Sequence, residues 1–228
     1  MTTIVHSLAP VLLIGGGAAS VADVMAAREL VSTCVAVDGG LRLALASGVE
    51  PVAVVGDFDS VLPEDLAQVP EAILHRITGQ DDTDFEKALA RLDVPLVLGI
   101  GFMGGRVDHQ LAALHALIGP AAPPCILFAE EELLFHCPQA LSLPCVAGDV
   151  VSLFPLAAVR GRSTGLEWPI DDLLLSPGGR IGTSNRALGD IRIESDGPGL
   201  IGIVPKRLLS ALIPALVRAP LHGQRPAL

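Results

Sequence analysis

The sequence predicts a two-domain α/β protein: a Rossmann-like domain with a parallel sheet over residues 1–138, then a smaller all-β sandwich domain over 139–228. Three observations predict it. Through the first two thirds, short apolar runs alternate with segments of helical periodicity, the rhythm of a parallel sheet covered by helices. After about Gln139 the chain changes to short β-rich runs separated by Gly, Pro, Asp and Ser, as antiparallel sandwiches and barrels require. Half of the 228 residues are hydrophobic and they are spread along the whole chain, which gives a buried core and excludes disorder.

In order along the chain, strands are expected at 11–14, 34–37, 52–55, 74–77, 96–100 and 125–128, with helices at 21–30, 41–47, 83–92 and 107–118. The helix over 83–92 has the clearest start. Thr83 and Glu86 form an S/T-x-x-E capping box ahead of an apolar pattern at Phe85, Ala88 and Leu92. The Pro-containing stretch 137–144 is the expected domain boundary. Further strands are expected at 150–154, 173–175, 191–194 and 200–204. Residues 206–218 read as an amphipathic strand or helix followed by a frayed tail.

The longest apolar stretch, 8–22, contains three glycines and falls short of the roughly 20 residues of a membrane helix. It reads as a buried strand and turn. The first Lys or Arg is Arg28, so no secretory or transit signal is expected, and the expected compartment is the cytosol. Cys34, Cys125, Cys137 and Cys145 include no C-x-x-C pair and lie mostly in apolar stretches, as small buried hydrophobes do. The net charge is −10, with ten acids against three bases between Asp57 and Asp93, a poor surface for nucleic acid.

Four motifs follow four expected strands: Asp38-Gly39-Gly40, GDFDS at 56–60, QDDTD at 80–84 and GGRVDH at 104–109. All four loops therefore belong at the carboxyl edge of one sheet, where open α/β folds bind ligands. In GDFDS, an extended chain would put Asp57 and Asp59 on one face and Phe58 on the other. Converging hard oxygens suit Mg²⁺, although an Asp-rich turn explains the same residues. Capping and the helix dipole account for Thr83 and Asp84; three acids within four residues exceed what one cap needs. In GGRVDH the glycines allow close backbone approach, Arg106 offers a planar fork for phosphate oxygens, and Asp108 opens the next helix, where it also serves as a simple cap.

These motifs, in this order, resemble the thiamine pyrophosphokinase family, and the likeness continues through Thr164-Gly165-Leu166-Glu167-Trp168-Pro169 and Thr183-Ser184-Asn185. The resemblance implies an α/β ATP-binding domain and a β-sandwich, paired in a homodimer with thiamine between subunits. It implies transfer of the pyrophosphoryl group of ATP to the thiamine hydroxyl, releasing AMP. Asp57, Asp59, Asp84 and Asp108 would then serve Mg²⁺ and the phosphates, with Asp38, Gly39, Gln80, Thr83 and Arg106 on ATP. Trp168, Thr183, Ser184 and Asn185 would contact thiamine, and Gly182 stands where family members often carry serine.

Two rival readings use the same residues. Gly15-Gly16-Gly17, with Ser20 and Asp38, imitates the dinucleotide fingerprint of a nicotinamide-dependent oxidoreductase, with Ser20 in the place of the third glycine. A non-catalytic sensor of thiamine or nucleotide would keep the pocket without turnover.

Overall fold

The computed structural model describes residues 2–79, 82–119 and 122–219. The chain forms two compact units, 1–130 and 131–228.

The first unit contains β1 (Val5–His6), β2 (Val11–Ile14), α1 (Val21–Arg28), β3 (Thr33–Val37), α2 (Gly40–Ala46), β4 (Ala53–Gly56) and α3 (Pro63–Leu66). It continues through β5 (Leu74–Arg76), α4 (Asp84–Leu89), β6 (Leu92–Asp93), β7 (Val97–Ile100), α5 (Val107–Leu117) and β8 (Cys125–Phe128). Six strands pair in parallel in the order β8-β7-β2-β3-β4-β5. Every residue of β2, β4, β7 and β8 is buried, as continuous apolar runs covered on both faces must be. Leu-His-Arg of β5 is only partly buried, in keeping with its place at the sheet edge. α1 and α2 pack together over β2, and α4 packs on α5 and over β3 and β4.

The capping box at Thr83 forms as expected, with the Thr83 hydroxyl accepting from Glu86 N and the Glu86 carboxylate from Thr83 N. The helix stops at Leu89, however, and does not run to Leu92. Beyond Ala90 the chain is captured by the amino-terminal strand: Arg91 O accepts from Ile4 N at 2.9 Å, and Leu92 pairs in parallel with Val5. Tertiary pairing outweighs helical periodicity there.

The second unit contains β9 (Glu132–His136), β10 (Ala140–Leu143), β11 (Val150–Pro155), β12 (Val159–Leu166), β13 (Leu174–Leu175), β14 (Gly182–Ser195), β15 (Leu200–Pro205) and α6 (Leu209–Arg218). β9 pairs antiparallel with β15 and so belongs here, which places the division between units ahead of the boundary expected at 138/139. β15 pairs antiparallel with β11. The 14-residue β14 pairs with β11 through Gly182–Arg186 and with β12 and β10 through its later residues. Where the sequence predicts a short strand at 191–194, this is the end of a much longer one. Of the two readings of 206–218, the helix is observed, following a 3₁₀ turn at Lys206–Leu208. No helix among the described residues is long and apolar enough to cross a membrane.

Candidate active site

The strand order of the first unit reverses at β2 and β7, and the loops leaving these neighbours define a switch point, the place where such sheets form a crevice. The two loops are in backbone contact there: Gly17 N donates to Gly101 O at 2.8 Å, and a Cβ at Gly17 would lie 2.6 Å from that oxygen. A cleft of about 670 Å³ opens beside them, lined by Gly15–Gly17, Asp38, Arg42, Asp84, Arg106 and His109 among others.

Asp38, directly after β3, is buried and takes a left-handed backbone (φ 46°). Its carboxylate accepts from Phe58 N at 3.0 Å and from the Ser60 hydroxyl. The GDFDS segment leaves β4 as a turn and does not continue the strand, because Phe58 also adopts a left-handed conformation (φ 66°) and buries its ring. The extended geometry expected for Asp57 and Asp59 is therefore absent. The turn brings their carboxylates together by another route, with Asp59 N donating to Asp57 Oδ1 at 3.1 Å. Asp38, Asp57 and Asp59 each offer an oxygen, and these lie within 4.8 Å of one another.

The charges repel. The Asp59 carboxyl is held above its ordinary range by Asp57 first, then by Asp38, a small desolvation and Asp84. Asp84 thus feels the same cluster, yet its Oδ1 is engaged at 2.9 Å by Lys87 Nζ, a buried ammonium for which Asp84 is the ion-pair partner. Asp108 stands apart from the trio. Arg106 grips it through two hydrogen bonds of 3.1 and 2.6 Å, and that guanidinium holds the Asp108 carboxyl down at about 2. Gly39 and Thr83 line the cleft, whereas Gln80 lies outside the described residues.

The dinucleotide fingerprint is not realised. Ser20 caps α1 in a reciprocal box with Asp23, and the Asp38 carboxylate is turned toward the GDFDS segment, accepting from Phe58 N and the Ser60 hydroxyl.

In the second unit, Asn185 is buried and its amide joins two segments. Its Oδ1 accepts from Trp168 N at 3.1 Å and Arg186 N at 2.8 Å, while its Nδ2 donates to Trp168 O at 2.7 Å. Trp168 is thereby fixed by its backbone while its side chain remains 54% exposed. Thr183 and Ser184 are exposed beside Asn185 in sequence; Ser184 is left-handed (φ 61°) and its N donates to the Ser152 hydroxyl at 2.9 Å.

Residues 27–127 match the sequence model of the thiamin pyrophosphokinase catalytic domain, and residues 135–200 that of the thiamin pyrophosphokinase vitamin B1 binding domain. The chain belongs to the thiamin pyrophosphokinase family. Among curated relatives, thiamine pyrophosphokinase 3 of Oryza sativa subsp. japonica is 28% identical over 155 residues, covering 60% of this chain and 58% of the rice protein. Thiamine pyrophosphokinase 1 of Arabidopsis thaliana is 24% identical over 174 residues, covering 68% of this chain and 65% of its own. The matched stretch thus spans less than two thirds of these relatives' length. The solved thiamin pyrophosphokinase from Candida albicans superposes with a TM-score of 0.74 at 16% identity, covering 88% of this chain and 93% of that one. That from Geobacillus thermodenitrificans gives 0.72 at 24% identity, covering 86% and 97%. At these identities the structures establish the shared fold.

Two residues beside the acidic cluster carry no signal in the sequence. Ser60 closes the GDFDS motif without a carboxylate, yet its hydroxyl donates to Asp38. Arg76 ends an edge strand with no motif around it, yet its guanidinium lies 4.9 Å from the Phe58 ring centroid and donates to Asp57 O.

Proposed function

We propose that this chain transfers the pyrophosphoryl group of ATP to the hydroxyl of thiamine in a Mg²⁺-dependent reaction, giving thiamine diphosphate and AMP. One observation carries the reading: three carboxylates converge beside a glycine-lined switch-point cleft, within the stretch matched by the family's catalytic domain. Phosphoryl transfer asks a protein mainly for positioning and charge neutralisation, and an acidic cleft without a cation would repel ATP.

The residues fit magnesium. Hard carboxylate oxygens in a partly open cluster suit an ion that keeps several waters and binds substrate phosphates, and the raised Asp59 marks a repulsion that a cation relieves. Asp57 and Asp59 would hold the ion together with Asp38, with Asp84 nearby and Asp108 brought in on the side of Arg106. Bound there, Mg²⁺ would neutralise phosphate charge. Asp38, Gly39, Gln80, Thr83 and Arg106 would position ATP, the glycines allowing close backbone approach and the Arg106 fork meeting phosphate oxygens. The thiamine oxygen forms a bond to the β-phosphorus, the bond from that phosphorus to the α,β-bridging oxygen breaks, and AMP leaves with that oxygen while the hydroxyl proton is released.

Trp168 would offer its plane to the cationic, aromatic thiamine, with Thr183 and Ser184 adding polar contacts. Asn185, whose amide is occupied by backbone, would act by holding the Trp168 segment still. The passage of β14 from β11 to β12 supports a sandwich for the second unit. A homodimer and a cytosolic setting complete the reading, the latter in keeping with four buried cysteine thiols, among which burial pushes Cys34 and Cys137 up to about 12.

The test is to incubate the purified protein with ATP, thiamine and Mg²⁺, omitting each in turn. The reading expects AMP and thiamine diphosphate in equal amounts only when all three are present. ATP breakdown that ignores thiamine would overturn it.

A further inference from the structure

The Asp57–Phe58 peptide is clamped on both of its polar atoms. Its N–H, on Phe58, donates to Asp38 Oδ1 at 3.0 Å, and its carbonyl, on Asp57, accepts from Arg76. The clamp matters because Phe58 stands at φ 66°, a region that non-glycine residues avoid. A peptide preceding such a residue can relax by flipping, which exchanges one turn type for another. Flipping here would break both hydrogen bonds at once and re-aim the side chains at either end, namely Asp57 and, through Phe58, Asp59.

Arg76 is placed for this by the sheet. It is the last residue of β5 and the register partner of Gly56, with Ile77 N donating to Gly56 O at 2.8 Å just beyond it. From that position its guanidinium does two things together: it holds the Asp57 carbonyl, and it lies over the Phe58 ring. Arginine is suited to both, since its planar group stacks on aromatic faces while its edge keeps donors free.

The geometry points to Arg76 as the positioning residue of the metal site: it locks the Asp57–Phe58 peptide so that the Asp57 and Asp59 carboxylates converge on one cation. Arg76 touches neither carboxylate and acts through the backbone. This rests on the reading of the acidic trio as a Mg²⁺ site.

The test compares Arg76→Met and Arg76→Lys with the unaltered protein, following Mn²⁺ binding by electron paramagnetic resonance without ATP or thiamine, and thermal midpoints alongside. Supporting groups around a metal commonly change affinity ten- to a hundredfold, so Arg76→Met should weaken Mn²⁺ binding about tenfold. Arg76→Lys, which keeps a donor for the carbonyl and loses the planar stack, should fall between the two. Phe58→Leu should weaken binding as well, and combined with Arg76→Met it should add little, because both changes release the same peptide. In kinetics, half-saturation by Mg²⁺ should rise while KM for thiamine stays put. Unchanged Mn²⁺ binding in Arg76→Met at a normal thermal midpoint would overturn the proposal. So would a raised KM for ATP with intact Mn²⁺ binding, which would make Arg76 a direct nucleotide contact, and so would a lack of Mn²⁺ binding by the unaltered protein. Weakened Mn²⁺ binding in a protein that makes no thiamine diphosphate would sustain the role of Arg76 and refute the proposed reaction.

Discussion

The carboxyl edge of the parallel sheet and the Trp168–Asn185 junction of the second unit solve opposite problems. At the sheet edge, like charges are crowded together: Asp57 and then Asp38 raise the proton affinity of Asp59, and two residues there occupy left-handed backbone conformations. At the junction the bonds are made by uncharged amide groups. The three hydrogen bonds of a buried amide hold one backbone so that an aromatic plane can face outward. A site that gathers repulsion awaits a cation, whereas a site whose buried amide is already engaged offers shape.

The largest way to break this contrast is Asp57→Asn. Losing one charge-stabilising group from a transfer site commonly costs on the order of 10²–10³ in rate, and Asp57→Asn should lower kcat by at least that while the thermal midpoint holds or rises. A fall in stability parallel to activity would show that the acids are structural.

Backbone packing gives the next effect, and it should appear in both regions. A Cβ at Gly40 would meet Ile14 O at 2.0 Å, and one at Gly165 would meet Asp190 O at 2.1 Å, where φ is also +80°. Alanine at either position should cost about 3 kcal/mol or more in denaturant unfolding, since backbone cannot give way as a side chain can.

Smaller again, Trp168→Ala should raise KM for thiamine about tenfold, as expected for the loss of one desolvated cation–π contact, with unfolding nearly unchanged because the ring is more than half exposed. Asn185→Ala should do the same and also destabilise, which separates holding from touching. Thr83→Ala should cost about 1 kcal/mol through the lost cap of α4.

The gentlest probe is pH in the absence of metal. Asp59 has a folded pKa above its ordinary value, so the folded state binds more protons between the two values and stability declines as pH rises through that window. Asp108 runs the other way: its Arg106 partner contributes above the ordinary carboxylate range, and that contribution is lost as pH falls toward about 2. Asp59→Asn should flatten the first slope, and saturating Mg²⁺, which holds the folded carboxylate ionised, should flatten or reverse it; a slope indifferent to both would remove the case for crowded charge.

Sequence made the first region far more legible than the second. Buried strands such as VLLI of β2 announce themselves, and loops that follow them in a parallel sheet must share an edge, so the spacing alone gathers the aspartates. What spacing could not show was how they divide. Asp108 is answered by Arg106 and Asp84 by Lys87, because ion pairs depend on side-chain reach and not on chain order. Arg76 stayed hidden on an edge strand without a motif. In the second region, only 191–194 of β14 are expected as a strand, because Thr183, Ser184, Asn185, Arg186 and Gly189 carry little apolar signal, although β14 begins at Gly182 and pairs there with β11.

That long strand has a mechanical consequence. Because β14 hydrogen-bonds to β11 at one end and to β10 and β12 at the other, neither set of pairings can be lost without loosening the strand on which the other depends. The second unit should therefore melt as one cooperative block, its amide protons at Ile191 and Ile193 exchanging only when the whole block opens, so that a substrate bound anywhere on it draws on the resistance of all of it.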